Sequence, residues 1–144
     1  MIYHNGLNFE CQKCGNCCSG IPGYVYLTID EIKNIARYLG IKPDDFIKKY
    51  TLKVIINGEP RLSLIETQNF DCIFYSKNKG CEIYPVRPYQ CRSFPFWPAN
   101  LENHEAWIKV SRLCPGVNRG RYYSAEEIRE ILLKQPDYNM NYFR

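Results

Sequence analysis

Four cysteines fall within eight residues near the start of the chain, at Cys11, Cys14, Cys17 and Cys18. Their spacing, C-x2-C-x2-C-C, is too dense for ordinary core packing, and neither a helix nor a strand pairing requires it. Sulfurs three residues apart in a loop can converge on one point, as tetrahedral thiolate sites require. Gly15 lets the backbone turn tightly around whatever the sulfurs hold. The pattern predicts a thiolate metal site.

A second set of cysteines is scattered along the chain, with 8, 9 and 22 residues between successive members: Cys72, Cys81, Cys91 and Cys114. We predict that all eight cysteines are metal ligands, with at least one of this second set completing the site of the first three. Cys18 directly follows Cys17, so it serves a second metal or the opposite side of a cluster.

The choice of metal depends on the spacing. Cys11, Cys14 and Cys17 reproduce the C-x2-C-x2-C of bacterial ferredoxins. Zinc ribbons pair two C-x2-C knuckles, and a second knuckle is missing from this sequence. The pattern therefore favours an iron–sulfur cluster, of the 4Fe–4S type, over zinc, which stays open as the alternative.

Two arginines flank the Pro-rich turn that leads to Cys91, namely Arg87 and Arg92. We predict that both arginines are cofactor-binding residues and that at least one guanidinium contacts backbone or sulfur near the metal. The planar guanidinium offers several N–H donors at once, so it can hold a loop in place beside the metal. The alternative is that both are ordinary surface cations. The two histidines, His4 and His104, form no Cys–His pair at an informative spacing, and no catalytic residue is predicted.

Composition limits the function classes. The 144 residues suit one domain over 1–144. A net charge of +4 is well short of a nucleic-acid-binding footprint, so nucleic acid is not expected as a partner. A membrane is not expected either, because no apolar stretch approaches the ~18–20 residues of a spanning helix. The partner that we expect is therefore another protein or a redox partner, which the sequence does not identify.

The cellular compartment decides how the cysteines are interpreted. The first residues show no basic region followed by an apolar run, and therefore no secretory signal. We expect a cytoplasmic protein, in which thiols stay reduced and clustered cysteines indicate metal or redox chemistry. A disulfide framework is the alternative, although the adjacent Cys17 and Cys18 make it awkward.

Local signals predict a small α+β domain with short antiparallel strands and two or three helices. Thr28 and Glu31 form a capping box that opens a helix ending at Gly40. A similar box at Ser124 and Glu127 opens a C-terminal helix over about 125–135. Other predicted elements are a helix from Pro43, a helical turn at 89–92, hairpins at 52–66 and 72–84, a strand at 107–110 and a turn-rich loop at 19–23.

Prolines interleave with aromatic residues in the segment between the last two cysteine-bearing regions: Tyr84, Tyr89, Phe94, Phe96 and Trp97. The interpretation that we favour is core packing and a water shield over the metal site. The alternative is a stacking surface for a flat ligand or base.

The N-terminal cluster followed by the segment CEIYPVRPYQCRSFP at 81–95 resembles the CxxCxxCC cysteine-cluster family, also called the YkgJ-like domain. The similarity covers about residues 9–116. The resemblance implies a domain that chelates zinc or iron. Flagellin lysine methylases look similar in their cysteine motifs but are much longer, and this similarity implies a methyl-transfer branch of the family.

Together these observations predict an iron–sulfur protein with a redox or electron-transfer role. One alternative is a structural zinc-binding protein that presents a surface to a partner. The other is a metal-dependent enzyme, with protein methylation as the reaction that the resemblance implies. An open coordination position would favour the enzyme, and a closed four-thiolate site would argue against it.

Overall fold

The structure, a computed structural model, describes residues 1–18 and 23–140. It mixes helices with short antiparallel strands, which confirms the predicted α+β class. No helix in the described ranges is long and apolar enough to cross a membrane. The elements are β1 (Leu7–Phe9), β2 (Tyr26–Leu27), α1 (Ile29–Leu39), α2 (Pro43–Tyr50), β3 (Thr51–Ile56), β4 (Glu59–Leu64), β5 (Tyr75–Ser76), β6 (Gly80–Cys81), α3 (Tyr89–Ser93), α4 (His104–Leu113), β7 (Val117–Tyr123) and α5 (Ala125–Leu133).

The chain folds as two compact units. The first unit comprises Met1–Cys17 and Arg92–Gln135, and the second comprises Cys18–Cys91 and the segment from Pro136 onward. Each unit buries its own cluster of apolar side chains. The eight cysteines divide evenly, since Cys11, Cys14, Cys17 and Cys114 belong to the first unit and Cys18, Cys72, Cys81 and Cys91 belong to the second.

The first unit is built on a two-stranded antiparallel ribbon of β1 and β7 with α4 and α5. The register of the ribbon shifts between Asn8 and Phe9. Its core consists of Phe9, Phe96, Leu101, Trp107, Val110, Cys114, Val117 and Ile128. Phe96 lies nearly parallel to Trp107, with ring centroids 6.1 Å apart, as the core-packing interpretation predicts for this aromatic residue.

One predicted element in the first unit is wrong. Residues 107–110, expected as a strand, lie inside the helix α4. Trp107 and Val110, three residues apart, are buried, whereas Ile108 is about half exposed. Asn103 caps the helix by accepting a hydrogen bond from the backbone N–H of Ala106 at 2.9 Å. Helical burial spacing and an N-cap therefore outweigh a short run of strand-forming residues.

The second unit contains a three-stranded antiparallel sheet in the order β2-β4-β3, with α1 and α2 beside it in the chain. The capping box at Thr28 is present, and α1 stops where Gly40 adopts a left-handed conformation with φ 73°. Asn57 and Gly58 both have positive φ, as the tight hairpin between β3 and β4 requires. The core lies among Leu27, Ile32, Ile35, Ala36, Phe46, Leu64, Phe74, Ile83 and Met140.

The predicted hairpin at 72–84 is much shorter than expected. Only β5 and β6 pair, with Tyr75 opposite Cys81. Cys72 instead forms an isolated bridge with Glu66. The loop predicted at 19–23 lies, apart from Gly23, outside the described residues.

Candidate metal centre

The first three cysteines lie in a loop that contains two residues with positive φ and a backbone hydrogen bond to sulfur. Lys13 and Gly15 both adopt left-handed conformations, with φ 53° and 81°. The backbone N–H of Lys13 donates a hydrogen bond to Sγ of Cys11 at 3.3 Å. All three thiol-bearing residues are exposed. A loop of this form offers N–H groups to anions, which suits thiolates that hold a cation.

Cys114 is a further candidate ligand in the first unit. It is buried and forms the C-cap of α4. The residue is 8% exposed. Burial raises the pKa of its thiol, and the charges of Cys14 and Cys17 raise it further, whereas backbone hydrogen bonds from Gly116 and Val117 hold it down. Thiolates that lie close together repel one another. A shared cation offsets this repulsion and so stabilises the deprotonated form of the sulfurs.

Two hydrogen bonds fasten the cysteine loop to the Cys114 turn. The backbone N–H of Glu10 donates to the carbonyl of Gly116 at 3.1 Å. The side-chain amide of Asn16 donates to the carbonyl of Leu113 at 2.6 Å. A Cβ at Gly116 would overlap the carbonyl oxygen of Glu10. Neither Asn16 nor Gly116 was identified from the sequence, and the available signal was the glycine two residues after Cys114.

In the second unit, backbone contacts bring three of the four cysteines into one region. The N–H of Cys72 donates to the carbonyl of Cys18 at 2.7 Å. The carbonyl of Cys72 accepts from the N–H of Tyr75 at 2.9 Å, and Tyr75 pairs with Cys81. All four cysteines of this unit are half-buried.

Cys91 lies in α3, whose start is held by three hydrogen bonds. The N–H of Tyr89 donates to the carboxylate of Glu31. The side chain of Gln90 accepts from the N–H of Tyr26 at 3.1 Å and donates to the carbonyl of Tyr24 at 2.7 Å. The segment that carries Cys91 is therefore anchored to both the sheet and α1.

Tyr138, in the C-terminal segment, is buried in the same unit. Its ring lies 5.7 Å from that of Tyr26, and its hydroxyl is buried without a hydrogen-bond partner among the described residues. Burial raises the pKa of Tyr138, and the negative charges of Glu31 and Cys91 are the next causes.

The two predicted arginines lie in different settings. Arg87 donates from Nε to the carbonyl of Tyr84 at 3.0 Å, and its guanidinium lies 3.8 Å from the centroid of the Tyr84 ring. It thereby holds the turn between Cys81 and Cys91. Arg92 lies in the last turn of α3, next to Cys91. A role for either residue toward a bound cofactor stays a prediction.

None of the eight cysteines forms a disulfide, and all eight lie in the described ranges. Within residues 1–18 and 23–140, no three Cys, His, Asp or Glu side chains stand at metal-binding geometry. The set of possible ligands nevertheless fits a thiophilic metal, because each unit supplies four sulfurs. In the first unit, backbone N–H groups also lie near the sulfurs of Cys11 and Cys114. Metal binding requires these thiols to lose their protons.

Eight cysteines without disulfide bonds, carried by loops, by the strand β6 and by the short helix α3 of a small α+β fold, define the class of thiolate metal-binding domains. Comparison with known families agrees with this class. The model of the CxxCxxCC family, described as "Putative zinc- or iron-chelating domain", matches residues 10–115. The chain belongs to this family. The property that defines the family is chelation of zinc or iron by the protein.

Two relatives come from Methanocaldococcus jannaschii. The uncharacterized protein MJ0661 is 35% identical over 142 residues, which cover 98% of this chain and 73% of that protein. The uncharacterized protein MJ0939 is 26% identical over 126 residues, which cover 83% of this chain and 41% of that protein. The chain thus spans less than half the length of the second relative. No solved structure matches the chain.

Proposed function

We propose that this chain is an iron–sulfur protein with a redox or electron-transfer role, whose cluster is held by Cys11, Cys14, Cys17 and Cys114. The observation that carries the proposal is that two hydrogen bonds, from Glu10 and Asn16, hold the cysteine loop against the turn that carries the buried Cys114. The C-x2-C-x2-C spacing of the loop is that of ferredoxins, and a fourth cysteine from elsewhere completes such a site.

The hydrogen bonds to sulfur support the redox part of the proposal. Cys11 accepts from the backbone N–H of Lys13 at 3.3 Å, and the backbone N–H groups of Gly116 and Val117 favour the thiolate form of Cys114 by lowering its pKa. When bound, a 4Fe–4S cluster supplies one-electron transfer, and hydrogen bonds to its sulfurs are among the factors that set its potential. The chain's own contribution is to bury one ligand, keep the loop exposed and place these N–H donors.

Four cysteine ligands also leave no open coordination position. Electron transfer needs no such position, whereas a metal that binds substrate does. The proposed ligand set therefore supports a redox role over direct substrate activation.

The test is metal and sulfide analysis of protein kept anaerobic from lysis onward. Iron and acid-labile sulfide in equal amounts, with visible absorption that bleaches on reduction, is the expected result. Cys14→Ser is expected to lower the bound iron and the melting temperature together. Gln12→Ala, in the same exposed loop, loses one hydrogen bond to the carbonyl of Glu10 but no thiol, so it is the control and is expected to keep the bound iron.

Stoichiometric zinc without sulfide in that preparation would overturn the iron–sulfur proposal. A colourless, redox-silent protein would then be the structural zinc alternative, because Zn²⁺ is d¹⁰ and has no accessible second oxidation state. Unchanged metal content in Cys14→Ser would overturn the ligand assignment whatever the metal.

A further inference from the structure

The cysteines of the first unit are enough for one complete centre. Tetrahedral zinc takes four thiolates, and so does a 4Fe–4S cluster. Once Cys11, Cys14, Cys17 and Cys114 are used, four cysteines remain, and all four belong to the second unit. Four is again the number that one centre needs.

The remaining cysteines are not dispersed through the second unit. The backbone hydrogen bond between Cys18 and Cys72 brings two loop segments together that are far apart in sequence. The turn from Cys72 to Tyr75 and the pairing of Tyr75 with Cys81 bring in the third cysteine. Three cysteines of this set are therefore linked through backbone contacts that do not depend on a metal.

The side chains of this set lie at the border of an apolar cluster. Cys72 and Cys81 are partly buried and pack against the core that contains Phe74 and Ile83. A half-buried sulfur keeps access to an entering metal, while the apolar side lowers the local dielectric and strengthens a metal–thiolate bond. The exposed loop of the first unit offers no comparable apolar border to its three thiols.

The fourth cysteine of this unit, Cys91, lies in α3. Its first residues are fixed by hydrogen bonds to Glu31, Tyr24 and Tyr26, all within the second unit. The N–H of Cys91 donates to the carbonyl of Pro88 at 3.0 Å, which continues this anchored segment up to the thiol.

We infer that the second unit holds its own metal centre, formed by Cys18, Cys72, Cys81 and Cys91, in addition to the centre of the first unit. The ligand chemistry is a thiophilic metal ion or iron–sulfur cluster bound by four thiols, each of which releases its proton to solvent on binding. The inference rests on thiolate metal binding by this family but not on the metal being iron.

The experiment counts metal per chain in anaerobically purified full-length protein, by elemental analysis of iron and zinc together. Wild type is compared with Cys14→Ser, Cys72→Ser and the double variant. Each single variant is expected to lose the metal of one centre and keep that of the other, and the double variant is expected to keep almost none. Ile73→Val, beside Cys72 and packed on the same core, is the matched control and is expected to keep the full amount.

Loss of all metal from both single variants would overturn the inference, because it would mean one centre shared by all the ligands. Wild-type metal content in Cys72→Ser would also overturn it, because the second unit would then hold none. If circular dichroism shows that Cys72→Ser is poorly folded, the metal content of Cys81→Ser is measured in its place, since Cys81 is a proposed ligand of the same centre. Metal lost on Cys72→Ser but kept on Cys14→Ser would support the second centre while overturning the proposed ligands of the first, so the two proposals fail separately.

Discussion

The two units present their cysteines in opposite ways. In the first unit three thiols lie exposed in one short loop, and only Cys114 is buried. In the second unit all four are half-buried and come from four separate places between residues 18 and 91. The first arrangement is formed by loop conformation plus one turn brought against it. The second depends on a folded core.

This difference predicts which substitutions disturb each set. Changes to backbone shape or to the contacts of the loop should affect the first unit. Changes to buried side chains and their hydrogen bonds should affect the second. The following predictions use two positions of the first unit and one of the second, together with control variants.

The largest effect is expected for Gly116→Ala. A Cβ at this position would overlap the carbonyl of Glu10, so the cysteine loop must move away from the Cys114 turn. Overpacking of this kind costs roughly 1–3 kcal/mol, and we expect the free energy of unfolding to fall by that amount. The metal content should fall with it. Denaturant unfolding and metal analysis measure the two effects.

The matched control is Gly23→Ala. A Cβ added at Gly23 meets no atom of the described residues within 4 Å, and this glycine belongs to the second unit. We expect its free energy of unfolding and metal content to remain at wild-type values. Equal behaviour of the two alanine variants would contradict the loop-packing account of the first unit.

Local signals predicted much of the fold correctly. The capping box at Thr28 and the helix stop at Gly40 each depend on a few neighbouring residues, and both are present. The Asn57-Gly58 turn likewise encodes its hairpin locally. The strand β7 was missed because Asn118, Arg119 and Gly120 are not typical strand formers. Its pairing with β1 comes from the other end of the chain.

The candidate site shows the same limit. The spacing of Cys11, Cys14 and Cys17 is visible in a single loop, and the sequence alone predicted a thiolate site there. Which distant cysteine lies beside this loop is decided by contacts across about a hundred residues, such as the one between Asn16 and Leu113. Long-range pairing of this kind depends on the whole fold, and spacing rules carry no information about it.

A smaller effect is expected for Asn16→Ala. The variant loses the hydrogen bond to the carbonyl of Leu113, and a bond of this kind contributes about 0.5–1.5 kcal/mol. If that free energy is expressed in binding, the affinity of the first centre for metal falls by roughly two- to tenfold. Competition with a chelator of known affinity measures the change.

Asn100→Ala is the control for Asn16→Ala. Asn100 also donates from its side-chain amide to a backbone carbonyl of the first unit, that of Pro95 at 3.0 Å. The variant should lose similar stability without a change in metal affinity. If both variants weaken metal binding equally, the Asn16 contact has no specific role in holding the loop.

The smallest effect, and one of opposite sign, is expected for Tyr138→Phe in the second unit. Its hydroxyl is buried and has no hydrogen-bond partner in the part of the chain that the structure describes, so removing the oxygen removes a desolvation cost. We expect the free energy of unfolding at neutral pH to rise by about 0.5 kcal/mol. The matched variant Tyr122→Phe loses a hydrogen bond from its hydroxyl to the carbonyl of Asn5 at 3.0 Å, so it should lose stability instead.

The pH dependence of Tyr138→Phe makes the test sharper. Because the pKa of Tyr138 is raised in the folded state, the unfolded chain gives up this proton first. The wild type therefore keeps its full stability below the ordinary tyrosine value of about 10 and loses stability as the pH rises above it. The phenylalanine variant lacks this loss, so its advantage should widen with alkaline pH in parallel denaturant titrations. A constant difference between the two proteins across that range would mean that the hydroxyl is solvated in the folded state.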